Sequence, residues 1–569
     1  MPEQNENQRL NAADRKSFVG ENYNAGKQIV KQKVKELSPH FKYPVGYEHD
    51  ADAYGKTYNC LGFDIKAAFP YEQFALYDIT TKIVRVFDFS KELFAKMGNE
   101  QSGGMAFVNF DIDFSEIFTK LGVTYKGNED LFRSCIHSVI LWCNGMHTRM
   151  GQTSYYVSFN TGLGTDDFSR FLTTILIEEF ENAGVMVFKP NIIFKVKKGI
   201  NRNPGDPNYD LFQKALNCTS KKMIPTYLLC DCEEDKNIPA EKLSVMGCRS
   251  RVVDDIFGST GSVGRGNIAN TSINLPMIAA ISVEEGGSLT DKVTKFKNNL
   301  KVYMDATALA LLVRYDCTVK ADPSLFPTNH EYKLWCEDMN KVGVEGTLKH
   351  GTLSLGFIGL SETIEILTGK KYWDDEDTYK LALDITAFMR QITDSYTEKY
   401  KQNFSLLATA GEFISGYFAD EMKKIKDTSP VKNIPPRIYE KGFLTNSFHV
   451  DVDSKLSAVK KLQFEGPFHK YANGGSISYV ELGEAPLGNA EGLAELVEIA
   501  VESGVRYLGF NIPKDVCRDC GTTGLFDECP SCKGRNITRI RRVSGYLEIL
   551  DGFTSGKKAE EAHRQKNDL

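Results

Sequence analysis

The chain has 569 residues, long enough to bury a sizeable core without disulfides and, at ~150 residues per domain, to form several domains or one very large one. Hydrophobic residues make up 41% and charged residues 25%, a globular balance that excludes disorder throughout the chain. The 69 Lys and Arg against 75 Asp and Glu leave a formal charge of −6, which gives no support to broad nucleic-acid or membrane-surface binding.

The polar N-terminus, MPEQNENQRLNAADRK, has no apolar signal core, and no run of ~18 apolar residues follows, so a cytoplasmic location without membrane spans is expected. Thirteen cysteines are too few for a disulfide scaffold and read as metal-binding, catalytic or buried thiols. Phe168, Phe171, Leu172, Ile175, Leu176 and Phe180 recur at helical spacing and predict a helix ended by Gly184. VMVF and NIIFKV then read as strands. Leu493, Leu496, Val497, Ala500 and Val501 predict a second helix ended by Gly504, followed by the buried strand VRYLGFNI. This alternation argues for a parallel-rich α/β core. No composition shift divides residues 50–510, which predicts one large domain with a C-terminal appendix.

In that appendix Cys517-x-x-Cys520 and Cys529-x-x-Cys532 are separated by eight residues. Two such turns supply the four soft thiolates of a closed tetrahedral zinc site, structural because no coordination position stays open. Lys533, Arg535, Arg539, Arg541 and Arg542 follow and keep open a zinc-ribbon protein that binds nucleic acid. Gly545 then interrupts the apolar stretch RRVSGYLEIL, where the local reading is a bulge or tight turn.

The order of these elements resembles the anaerobic, class III ribonucleoside-triphosphate reductases, which are glycyl radical enzymes. That family ends with a four-cysteine knuckle, an R-V-x-G-Y-L element and a G-K-x-x-E-x-x-x-R tail. Here these are the quartet, Arg542 to Leu547, and Gly556-Lys557 with Glu560 or Glu561 and Arg564. Weaker matches precede them in order: EHDADAYGKTYNCLGFD with Cys60, QSGGMAF, NGMHTRMGQTSYYVSFNTG, VMGCRSRV with Cys248, GRGNIANTSINLP with Asn267, FIGLSE, ATAGE with Glu412, LTNSFH and GGSISYVEL. Ser544 stands where many members have cysteine, and Thr409-Ala-Gly-Glu412 where many read T-P-x-E.

The resemblance implies a ten-stranded α/β barrel over residues 46–510, after an N-terminal segment 1–45 without an ATP-cone and before a zinc and glycyl radical region at 511–569. It implies that Gly545 carries the radical, since a planar Cα radical tolerates no side chain. By the same resemblance Cys248 is the thiyl residue and Cys60 the second thiol. Asn267 binds the ribose hydroxyls, with Asn270 and Asn274 as nearby rivals. The implied activity is reduction of ribonucleoside triphosphates to deoxyribonucleoside triphosphates, with formate as reductant in many members. The implied partners are a separate activating enzyme bearing an iron–sulfur cluster and S-adenosylmethionine, dNTP and ATP effectors, and a second copy in a homodimer. Another glycyl radical enzyme remains an alternative.

Overall fold

The computed structural model describes residues 43–49, 57–148 and 153–568. Most of the expected N-terminal segment, residues 50–56 of the first family-like element and residues 149–152 of NGMHTRMGQTSYYVSFNTG lie outside the described residues.

Among the described residues, ten strands of an eleven-stranded sheet build the core: β1 Cys60–Phe63, β2 Met105–Phe107, β3 Val157–Thr161, β4 Asn191–Val196, β5 Thr226–Leu229, β6 Arg265–Asn274, β7 Thr352–Ile358, β8 Phe404–Ala408, β9 Ser478–Glu481 and β10 Tyr507–Asn511; the eleventh, Gly46–Glu48, pairs antiparallel with β6. β1 to β5 run parallel in sequence order. β6, β7 and β8 form a second parallel run, as do β9 and β10. A parallel bridge from Leu407 to Gly475, just before β9, joins these two runs. The two five-stranded halves then meet antiparallel on both sides, β1 with β6 and β5 with β10, and the barrel closes. The ten-stranded barrel expected from the sequence is the observed core.

Residues of β3, β4 and β7 are buried along their whole length, because helices cover the outside and side chains fill the inside. The first predicted helix spans Asp167–Asn182, its start capped by Asp166, which accepts from the Phe168 and Ser169 amides. The second spans Ala490–Ser503, with Asn489 capping its start and Gly504 in the left-handed region at its end. NIIFKV is β4, but VMVF is not a strand. The amides of Phe188 and Lys189, which a ladder would need, donate instead to the Asn144 side chain at 3.0 and 3.2 Å.

After β10 the chain enters a separate antiparallel sheet: β11 Lys514–Cys517, β12 Thr523–Gly524, β13 Ile537–Arg542 and β14 Leu547–Ile549, in the order β12-β11-β13-β14. Gly545 lies at the tip of the β13–β14 hairpin, closed by a Val543 amide to Tyr546 carbonyl bond of 3.0 Å. The helix Ser555–His563 completes the C-terminal part. Among the described residues no helix is long and apolar enough to cross a membrane.

Candidate active site

Two loops meet inside the barrel. The first is a tight hairpin in which Met246 and Ser250 exchange both backbone bonds, at 2.9 and 3.0 Å, leaving Gly247, Cys248 and Arg249 at its tip. It reaches from one half-barrel to the other. On one side Gly247 presses on Gly104 so closely that a Cβ on Gly104 would lie 2.5 Å from its backbone. On the other, the Arg249 Nη1 donates to the Ala408 carbonyl at 2.8 Å, and the Arg251 amide donates to Gly474 at 3.0 Å.

The second loop is the Gly545 hairpin tip. A Cβ on Gly545 would overlap the Cys248 carbonyl and lie 2.7 Å from the Cys248 Cα. Gly545 does not have a positive φ, so this close approach, not backbone strain, demands glycine. Around the contact, Val543, Tyr546 and Phe553 pack with Tyr156 of the barrel, and Cys248 touches that cluster. The Tyr156 and Tyr546 rings stand edge to face at 4.8 Å.

Cys248 and Cys60 line one cavity, together with Ser102, Asn270, Thr409 and Glu412. Cys60 opens β1 and its thiol donates to the Asn59 Oδ1 at 2.7 Å, while the Gly104 amide donates to its sulfur at 3.2 Å. Burial pushes the Cys248 thiol up; Arg249 opposes this without reversing it. The thiol therefore keeps its hydrogen at neutral pH. Burial likewise raises Glu412, against the pull of the Ser544 hydroxyl and of Arg249.

The three asparagines of GRGNIANTSINLP separate. Asn274 caps the helix Leu275–Val283 by accepting from the Met277 amide at 3.1 Å. Asn267 sits opposite Cys60 across the β1–β6 ladder, yet it does not line the cavity. Its amide is committed to the Thr352 carbonyl at 3.1 Å and the Ser354 hydroxyl at 2.8 Å. Asn270 does line the cavity, and its buried Oδ1 has no hydrogen-bond partner among the described residues. A register shift inserts one extra residue between them, so Asn267 pairs with Thr352 and Asn270 with Ser354. The buried Oδ1 of Asn267 also lacks a partner among the described residues, so what separates the two is that Asn270 lines the cavity and Asn267 does not. The signal that would have found this difference, the bulge, is not written in residue types. Glu412 stood in ATAGE without a role; its partners lie more than 130 positions away.

Buried charge pins the glycine hairpin from behind. The Arg542 guanidinium donates to the Phe510 carbonyl at 3.2 Å and the Ser544 carbonyl at 3.4 Å. Lys557 pairs with Glu560 at 2.6 Å, Arg564 with Glu560 at 2.8 Å, and Arg564 donates to the Arg542 carbonyl at 2.8 Å. Burial alone would raise Glu560, but Lys557 and Arg564 outweigh it and hold the carboxyl at about 2. Gly556 seats this helix against Gly416 of the helix Ile414–Lys424; a Cβ on either would come within 2.7 Å of the other's Cα.

The sulfurs of Cys517, Cys520, Cys529 and Cys532 lie within 4.8 Å of one another, with two pairs at 3.5 Å. A zinc ion with bonds of about 2.3 Å spaces tetrahedral sulfurs by about 3.8 Å, so the quartet fits one. Matching turns present the thiols: the Gly521 amide returns to Cys517 at 2.8 Å, and Lys533 returns to Cys529 at 3.0 Å. Cys517 is paired to Ile537 in the β11–β13 ladder, so the metal would brace the strand that carries the Gly545 hairpin.

The whole fold is shared with solved structures of anaerobic ribonucleotide reductases and of a glycyl radical enzyme. An anaerobic ribonucleotide reductase structure superposes with a TM-score of 0.72, covering 98% of this chain and 88% of its own at 15% identity. The Thermotoga maritima reductase, solved in complex with dATP and CTP, gives 0.69 over 97% and 92%, also at 15% identity. A glycyl radical enzyme from Archaeoglobus fulgidus gives 0.61 over 99% and 87% at 10% identity. The architecture is thus that of the ribonucleotide reductases and glycyl radical enzymes.

In sequence, residues 11–566 match the family profile described as anaerobic ribonucleoside-triphosphate reductase. The Escherichia coli (strain K12) protein of that name is 32% identical over 471 residues, covering 78% of this chain and 62% of its own. That of Enterobacteria phage T4 is 29% identical over 474 residues, covering 78% and 72%. The chain belongs to the anaerobic ribonucleoside-triphosphate reductase family. It spans 62% of the length of its bacterial relative.

Proposed function

We propose that this protein reduces ribonucleoside triphosphates to 2′-deoxyribonucleoside triphosphates without oxygen, supplying precursors for DNA. The observation that carries the reading is the backbone contact between Gly545 and Cys248, with Cys248 and Cys60 opening onto one cavity. An activating enzyme with an iron–sulfur cluster and S-adenosylmethionine removes one hydrogen atom from the Gly545 Cα. The Gly545 radical takes the hydrogen atom of the Cys248 thiol, and the Cys248 thiyl takes the substrate 3′-hydrogen. The 2′-hydroxyl leaves as water. Cys60 with formate, oxidised to carbon dioxide, supplies the two electrons of the reduction, and Cys248 returns the 3′-hydrogen.

Burial serves this sequence directly. It keeps Cys248 as the thiol, the form with a hydrogen atom to give. It also keeps the two loops in a site from which bulk water is excluded. In this reading Asn270, which lines the cavity and whose Oδ1 has no partner among the described residues, meets the ribose hydroxyls. Zinc on the four cysteines supplies structure, not chemistry. The reading includes a homodimer in the cytoplasm, regulated by dNTP and ATP effectors; the fold shared with the Thermotoga maritima protein, solved with dATP bound in the specificity site, supports the effector role. Nucleic-acid binding by the ribbon is disfavoured by its charges. Arg535 pairs with Glu528, Arg539 with Asp527, and Arg541 with Asp515, while Arg542 is buried.

The test is electron paramagnetic resonance after anaerobic incubation with a cognate activating enzyme, S-adenosylmethionine and a reductant. The expected result is a doublet near g ≈ 2, about the free-electron value, that collapses in protein made with Cα-deuterated glycine. No radical, with an activating enzyme proven on another substrate, would overturn the reading.

A further inference from the structure

Gly545 is buried, yet an external enzyme must reach its Cα for the proposed reaction to begin. The hairpin must therefore leave the barrel and return to the same place. What holds the tip is unusually concentrated. The Ser544 hydroxyl donates to one oxygen of the Glu412 carboxylate at 2.8 Å, and the Tyr546 hydroxyl donates to the other at 3.1 Å. The two residues flanking the glycine thus share a single acceptor. The Glu412 backbone carbonyl also accepts from the Thr554 hydroxyl at 2.8 Å, at the start of the final helix. All of these groups are buried. Glu412 belongs to the other half of the contact, since it follows β8 and lines the cavity with Cys248 and Cys60.

We propose that Glu412 is a positioning residue, the latch that docks the Gly545 hairpin on the Cys248 loop and sets how readily the hairpin opens. This rests on the function proposed above for Gly545. Hydrogen bonds to a buried carboxylate are among the stronger ones a loop makes, and leaving either hydroxyl unpaired costs more than the bond itself. A carboxylate that accepts from both sides of the glycine fixes the tip in two directions at once, which one bond would not. Its place in the cavity wall puts the latch within reach of whatever occupies the cavity, so hairpin docking and occupancy are read by one side chain.

The experiment compares the full-length wild-type protein with Glu412→Gln, Ser544→Ala and the double variant. Glutamine keeps the size of the side chain but can accept through one atom only. In resting protein, hydrogen–deuterium exchange at residues 543–547 is expected to rise about tenfold in Glu412→Gln and less in Ser544→Ala. The double variant is expected to show less than the product of the two effects, because both changes open the same latch. Residues 514–524 of the zinc-bearing part should exchange as in the wild type. With activating enzyme present, Glu412→Gln should form the Gly545 radical faster but complete fewer turnovers per radical. General destabilisation would lower both. Unchanged exchange at 543–547 in both single variants overturns the latch, as does an equal rise through residues 514–542. A loosened tip with no radical in either the wild type or the variants, under an activating enzyme proven on another substrate, supports the latch and overturns the proposed function, whereas a loosened variant that alone forms no radical overturns the latch.

Discussion

Gly545 answers two demands with one atom's absence. The carrier of a backbone radical needs a planar Cα, and the Cys248 carbonyl leaves no volume for a Cβ. Gly545→Ala is therefore expected to abolish radical formation and also to lift the hairpin from Cys248. Electron paramagnetic resonance would show no doublet, and exchange at residues 543–547 would rise, while the zinc content stays at one ion per chain. Cys248→Ser separates the two radicals, since serine fits the thiol's volume but its O–H bond is too strong to serve. The variant should keep the Gly545 doublet and make no deoxynucleotide; product formation would mean that another cysteine acts. Asn270→Ala is expected to lower turnover more than Asn267→Ala, because only Asn270 reaches the cavity.

At the scale of elements, the C-terminal region reads as a short lever braced at both ends. With zinc bound, the four-cysteine knuckle would hold β11; β11 pairs with β13, and β13 leads to the Gly545 hairpin. Zinc binding contributes about 10–16 kcal/mol in finger peptides, far more than a loop of this size gains from its own packing. Chelation should therefore loosen residues 514–549 to protease while the barrel stays intact, and an unchanged digestion pattern would count against the brace. The other end is the buried Lys557–Glu560–Arg564 triad. Its pH dependence follows from Glu560, whose carboxyl is lowered from 4.5 to about 2. A depressed carboxyl stabilises the folded state fully above its unfolded pKa, and that contribution fades as pH falls toward the folded value. Glu560→Gln leaves the buried Lys557 without its carboxylate and Arg564 with Glu561 alone, and is expected to cost about 3–5 kcal/mol at pH 7. The gap to the wild type in denaturant titrations should narrow as pH drops from about 4.5 toward about 2.

Across the whole molecule, what was legible in the sequence was local. The helices Asp167–Asn182 and Ala490–Ser503 announce themselves by apolar period and terminal glycine, and the quartet by its spacing. VMVF was misleading because its ladder partner was replaced by one side chain, Asn144, some 40 residues earlier. The order of family-like segments implied the barrel, but its closure rests on a single bridge, Leu407 to Gly475, with no pattern of its own. Glu412 was visible as part of ATAGE, but its partners were not, for the same reason. A buried carboxylate becomes informative only when the hydroxyls that reach it, Ser544 and Tyr546, are brought from the far end of the chain.

The contact between Gly545 and Cys248 also shapes how the chain can change over generations. In a descendant that gave up radical chemistry, selection on the reaction would vanish, yet packing against the Cys248 carbonyl would still reject every larger residue at 545. Cys60 has no such protection, since serine or alanine fits a small buried thiol's space at little steric cost. Loss of function would thus erase the cysteine first and leave the glycine standing as a fossil of geometry.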